Sequence, residues 1–576
     1  MNPIKLVIAF SILFVYTQGF AQKKNAKKSG KKSNITRVVD KDGNISLEFD
    51  VSETEGDNRT MALGNDGVLV YYTIKDKKVK NVVTYELVKF DKDLNEEYRT
   101  TYALPAKHGL IFHKENDSKV YFLIGETKAS SVKIGFTGGP AFVKKYTIVR
   151  FDPLKNEFKK FDGNTTSTDK GAYIQDFNVS KDIAYMNINR GKSPATISSI
   201  VCLSYCACFI PLLFGAANPN LKPDLIVHDL EKKGKQRIIN LGYDARKGNS
   251  GVLGSSLDDS TGTYHLFMTN GHKRLQTFWV KSVGTDGKMT KDVDVKLPPD
   301  KSISDPKMEV IDDKKYLFGI YNGKPKAVVV TAAAARNLTG IASQGVFFSV
   351  VSNNKLDKIT FTPYSKLKFK LPLNRTEKKK LEKNNKKNKE TSINLRVHYL
   401  KPLQYNDEII LVGEMYYATF RTEVYWDANG RMRTRQVFDG WAFTHILFTA
   451  YDLNGNLLWN QAIDYSRPKS YFIYDRVRTT LLDEGVIEVV YNDGASIKTA
   501  KVSKDGVEEG TQTYKLGGTK SGDKVTATGT SGSGADVVYW YDDFYLASGL
   551  QDIKNKQLKG KDKKREIYYI KKIEVE

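Results

Sequence analysis

The chain has 576 residues and a mass of 64.9 kDa, which excludes one small core and fits either several domains or one large repeat domain. Hydrophobic residues make up 40% and aromatics 11%, so there is apolar surface enough for a core and global disorder is excluded. Ninety Lys and Arg against 66 Asp and Glu give a formal charge of +24; a charge of this size speaks to solubility and to acidic partners rather than to fold, and much of the excess sits in local runs of the kind that form solvated loops.

The first 21 residues carry Lys5, the apolar run 6–15 and the small residues Gly19 and Ala21. This is the pattern of a secretory signal peptide, too short for a convincing membrane span, and predicts an exported mature chain from Gln22. Residues 22–38 are basic and are expected to be flexible. The Phe20-Ala21/Gln22-Lys23-Lys24 junction and the Lys/Asn-rich composition resemble exported proteins of Bacteroidota-type Gram-negative bacteria, which implies a periplasmic or outer-membrane-associated address.

From residue 39 the sequence reads as β structure, rich in Tyr, Phe, Val and Thr. A β-rich run, a short Asp/Asn/Gly turn and a second β-rich run recur along the chain, each a hairpin signal. The leading runs are 85–90, 146–151, 224–229, 277–283, 347–351, 446–451 and 496–502. Each interval contains two earlier strand-like runs, and four strands per interval make a propeller blade. Residues 40–51 look like a turn and a fourth strand without its third, and residues 567–573 like a third strand without its fourth. Pairing them closes the ring and removes two exposed edges. The expectation is a single all-β propeller over 39–576 with eight blades, seven being the alternative count. Parity then places the short turns on one face and the long insertions on the other: 129–143, 191–222, 326–345, 373–394, 418–443 and 554–564.

Three insertions carry informative chemistry. Residues 193–221 contain no charge, and the apolar stretch 197–217 includes Cys202, Cys206 and Cys208. With no histidine near them in sequence, these cysteines read as small apolar residues rather than metal ligands. Exposed, such a loop invites aggregation, so it is expected to be covered by its own propeller, a bilayer or a partner; its candidate partner-binding residues are Ile200, Val201, Leu203, Tyr205, Phe209, Ile210, Leu212, Leu213 and Phe214. The loop 374–394 supplies Lys378, Lys379, Lys380, Lys383, Lys386, Lys387 and Lys389, a candidate contact for an anionic membrane surface, with a solvated loop as the simpler reading. Without interleaved aromatics it predicts no nucleic-acid partner. The third mixes aromatics with arginines as interfaces do, which adds Tyr416, Tyr417, Trp426 and Trp441 to the partner-binding candidates, displayed by a hairpin turning at 427–430.

No GxSxG, HExxH, P-loop, GxGxxG or CxxC motif occurs, and the Asp/Asn/Gly clusters are the ordinary turn alphabet. The sequence therefore predicts no cofactor, no metal site and no enzymatic activity. The signal peptide, propeller hairpins and apolar insertion together resemble periplasmic propellers of Bacteroidota outer-membrane machines, the plug subunits of type 9 secretion translocons among them. That resemblance implies a protein-interaction subunit docking an outer-membrane or envelope protein through loop 197–217. A glycan-binding or carbohydrate-active propeller using Trp426 and Trp441 is the alternative.

Overall fold

The computed structural model describes residues 35–39, 45–51, 58–74, 83–104, 108–126, 141–166, 171–190, 222–231, 235–241, 249–323 and 343–575, the last two with breaks of one to seven residues. The strands assemble into seven sheets, one of which is eight-stranded. That sheet is two four-stranded blades joined by a single parallel pairing, Asp294 with Lys355, so the blades among the described residues number eight. They span 59–103, 108–164, 172–240, 249–295, 302–363, 396–464, 477–515 and, for the last, 523–574 with 45–50. The protein is an all-β propeller, as expected. Among the described residues no helix is long and apolar enough to cross a membrane.

Within a blade the strands differ as their places demand. Second strands such as Val68–Ile74 and Lys119–Glu126 read as nearly unbroken apolar runs, because neighbouring blades cover both their faces. Outermost strands such as Glu157–Asn164 and Lys235–Asn240 alternate or are largely exposed. Several of the third-to-fourth turns are fixed by a leading aspartate. Asp91 accepts the backbone N–H groups of Asp93 and Asn95, both at 2.8 Å, and Asp452 those of Asn454 and Asn456 at 2.9 and 2.7 Å.

The ring closes where the two ends of the sequence meet. Ser46–Asp50 pairs antiparallel with Lys571–Ile567, aligning Leu47 with Ile570 and Phe49 with Tyr568. These four side chains join one core with Val68, Val70 and Phe90 of the first blade and Trp540 and Leu546 of the eighth. Trp540 donates its indole N–H to the Gly67 carbonyl at 2.9 Å. Gly67 itself has φ of 99° and a Cβ there would lie 2.0 Å from the Phe90 carbonyl oxygen, so only glycine fits this turn. Beyond Ile45–Asp50 lies a fifth strand, Ile35–Val39. Residues 35–38, expected to be flexible, instead gain ladder hydrogen bonds along the outer edge, while residues 22–34 lie outside the described residues. Residues 1–21, read from the sequence as a signal peptide, lie outside the described residues.

On the face of the short turns, polar clamps tie one blade to the next. Asp182, in the turn between the first two strands of blade three, accepts from Tyr121 at 2.7 Å and Lys119 at 3.0 Å and pairs with Arg150, all three on blade two. Tyr185 reaches the Gly262 carbonyl of blade four at 2.7 Å. The opposite face carries the insertions, including a helix, Arg375–Asn385, in the connection from blade five to blade six. The lysine-rich stretch, expected as a loop, is thus mostly helical. Its Glu, Lys and Leu are good helix formers, and Asn384 ties its end to Thr391 at 3.0 Å.

Candidate functional site

Two features of the insertion face stand out, and the first is a ribbon. The second and third strands of blade six, Glu408–Trp426 and Met432–Asp452, continue well past the blade as a two-stranded hairpin. Its root is aromatic. Tyr416, Phe438 and Trp441 meet edge to face, with Trp441 ring centroids 5.3 Å from Tyr416 and 5.2 Å from Phe438. A bulge at Asp439-Gly440 lies opposite Thr419, whose hydroxyl donates to both of their carbonyls at 3.0 and 2.8 Å, and bends the strand where the ribbon leaves the blade.

Strand alternation gives the outer ribbon two faces. One pairs Thr422 with Gln436, Val424 with Thr434 and Trp426 with Met432, so it becomes apolar towards the tip. Val424, Trp426 and Met432 are 60%, 71% and 65% exposed. The other bears Arg421, Glu423, Tyr425, Arg433 and Arg435. Glu423 accepts from Arg421 and Arg435, each at 2.9 Å, and these two guanidinium groups hold its carboxyl below the usual range. Arg435 also lies over the Tyr425 ring at 5.5 Å.

This arrangement divides the aromatic candidates. Trp426 is displayed, and Tyr417 is half-buried. Tyr416 and Trp441, 4% and 1% exposed, belong to the hydrophobic core and act in packing rather than contact. The sequence predicts the hairpin turning at 427–430 but does not tell which side of each strand faces the core. Val424 and Met432, outside the sequence-based candidates, share the displayed face. All seven lysines from Lys378 to Lys389 are exposed. The apolar candidates Ile200 to Phe214 and the three cysteines lie outside the described residues.

The second feature is the propeller axis. Innermost strands of blades two, three, four and five each carry a register shift, a device that re-aims side chains. Charged groups from distant blades act on one another there. Glu115 of blade two feels Asp536 of blade eight, and Lys307 of blade five feels both Lys114 of blade two and Asp475, which precedes the first strand of blade seven. Only convergence on the axis brings such blades together. Desolvation by the surrounding channel wall raises Glu115 to about 7 and Asp536 to about 6 and depresses the Lys307 amine, although Glu115 is exposed to the channel and the other two are half-buried.

At the insertion-face end of this axis His398, Glu414 and Asp475 meet. His398 Nε2 lies 2.8 Å from Asp475 Oδ1, and Arg478 approaches the same carboxylate at 3.3 Å. Against the opposing effect of burial, His398 and Arg478 keep Asp475 well below the ordinary carboxylate range. Glu414 is fully buried, which raises it to about 8; it accepts from the Tyr465 hydroxyl at 2.7 Å and the Arg476 backbone N–H at 3.2 Å. No local sequence signal marks this cluster: His398 and Glu414 stand on two strands of blade six, and Asp475 on the connection into blade seven.

No family model matches the chain, and no curated protein matches its sequence. Solved structures that it resembles include the β-propeller domain of the trilobed protease from Pyrococcus furiosus, 9% identical over 66% of this chain and 94% of that one, with a TM-score of 0.21. They also include the acylaminoacyl peptidase of Pyrococcus horikoshii, 10% identical over 76% and 57% of the two chains with a TM-score of 0.28. A third is Synechocystis apocarotenoid oxygenase, 9% identical over 51% and 58% with a TM-score of 0.28. The chain spans a little over half the length of the oxygenase structures. These neighbours include enzymes, which runs against the expectation of no enzymatic activity, but at such identities and TM-scores the likeness extends to the fold alone and assigns no activity to this chain.

Proposed function

We propose that this propeller is an interaction subunit of the cell envelope, docking a protein partner through its insertion-bearing face with the hairpin tip as anchor. The observation that carries this is the displayed side of the ribbon: Val424, Trp426 and Met432 project together from a root immobilised by aromatic packing. A rigid lever presenting a large aromatic loses little side-chain freedom on binding, and such residues dominate interface energetics. Arginines on the reverse side and the exposed lysines of the helix on the same face of the propeller favour an apolar groove rimmed by acidic groups. The signal-peptide pattern and the resemblance to periplasmic propellers make an outer-membrane protein the expected partner, with the apolar stretch 197–217 as a further contact and a type 9 translocon as the most specific setting.

The test compares the tagged mature chain with the Trp426→Ala/Met432→Ala variant on detergent-solubilised envelopes of the source organism. The wild type should retain a stoichiometric outer-membrane protein, and the variant roughly tenfold less or worse, with an unchanged thermal midpoint because both side chains lie outside the core. Equal retention by the variant would overturn the reading. A wild type that retains no protein but binds glycans through Trp426 would move the assignment to carbohydrate recognition.

A further inference from the structure

We infer that His398, Glu414 and Asp475 form a binding site for one divalent first-row transition cation, of the Zn2+ class, at the insertion-face mouth of the propeller axis. One ligand atom from each residue lies within 4.8 Å of the others. Tetrahedral zinc with bonds of about 2.0–2.2 Å separates its ligand atoms by roughly 3.3–3.6 Å, so the three donors need only small side-chain movements to close on an ion. An imidazole nitrogen with two carboxylates suits zinc-like ions, whereas calcium and magnesium prefer oxygen alone.

The surroundings hold the donors in place. Tyr465 and the Arg476 backbone N–H each occupy one oxygen of Glu414, and Arg478 braces Asp475, the kind of outer support that orients metal ligands. Glu414 is inaccessible, but Asp475 keeps 46% of its side chain exposed, which leaves an entry side and an open coordination position. Arg476, Arg478 and Lys307 stand nearby and repel a cation, while Asp536 offsets part of their charge. A diffuse acidic patch therefore does not account for metal affinity here; the affinity must come from direct bonds to the three donors. On binding, bonds to the ion replace the His398–Asp475 hydrogen bond, and any protons carried by the three donors are released to solvent.

The experiment is equilibrium dialysis of the full mature chain against Zn2+, Mn2+ or Mg2+ at neutral pH, followed by metal analysis and thermal melting. The wild type should retain one equivalent of Zn2+, which raises its thermal midpoint, and should retain no Mg2+. His398→Gln, Glu414→Gln and Asp475→Asn should each weaken Zn2+ retention by roughly 30-fold or more. Should Glu414→Gln fail to fold, the two partly exposed ligands still decide the matter. Absence of retained Zn2+ in the wild type, or retention unchanged in His398→Gln and Asp475→Asn, would overturn the assignment. Neither result bears on the partner-binding tip, which is assayed separately.

Discussion

A chain ending at Lys563 should fail to give a soluble monomer. The missing strand, Lys564–Glu574, occupies the third position of blade eight, between Phe544–Asn555 and the strand Ile45–Asp50. Its loss removes Ile567, Tyr568, Tyr569, Ile570 and Ile573, all buried, at about 1.5–3 kcal/mol each. That sum approaches the whole stability of an ordinary domain, about 5–15 kcal/mol. It also strips the partner from Leu47 and Phe49 and leaves two strand edges bare, a template for association between chains. Size-exclusion chromatography with light scattering reads the outcome directly. A monomer with the wild-type denaturant midpoint would show that the terminal pairing is dispensable. A milder version, Ile570→Ala, should cost about 3 kcal/mol, read by denaturant unfolding.

Asp182→Asn should cost about 3 kcal/mol, because it leaves the charges of Arg150 and Lys119 facing a neutral amide while partly buried. Asparagine tolerates the left-handed backbone of this position, whose φ is 55°, so the loss reports on the clamp between blades rather than on strain. The pH dependence follows from the same contacts. Burial alone would raise the Asp182 carboxyl, but Tyr121, Lys119 and Arg150 hold it below its ordinary value of 3.8. A carboxyl lowered in the folded state contributes stability that is complete above its unfolded pKa and is lost as pH falls through the folded one. Wild type should therefore lose stability more steeply than Asp182→Asn below about pH 4. Equal acid profiles, or a midpoint change of less than about 0.5 kcal/mol at neutral pH, would remove the clamp from the account.

Much of the architecture was legible because its signals are local. An aspartate leading each of several third-to-fourth turns bonds to amides two and four residues on, so Asp91 to Asn95 and Asp452 to Asn456 announce their hairpins within five residues. Blade count and closure followed from counting those hairpins. The helix at Arg375–Asn385 is hard to tell from a solvated loop, because its many lysines suit both, although the same residues have good helix propensity. Tyr416 and Trp441 were misplaced because composition cannot tell the side of a strand that faces the core; their burial depends on Phe438 and Phe443, which the fold brings alongside. The meeting of His398, Glu414 and Asp475 was illegible for a stronger reason. It depends on strand register in blade six and on the placement of blade seven beside it, which no short window of sequence encodes.

The terminal pairing also governs the order of events in folding. Leu47 and Phe49 are synthesised early, yet the strand that covers them arrives roughly five hundred residues later. Most blades consist of consecutive strands and complete themselves as they emerge, whereas the eighth waits for Lys564–Glu574. The final step is thus the joining of the most distant contacts in the molecule, which carries the largest loop-closure entropy and the slowest expected rate. Until then an unfinished ring presents an adhesive apolar margin, so holding proteins that shield this margin during synthesis should raise the yield of folded protein more than faster formation of any single hairpin.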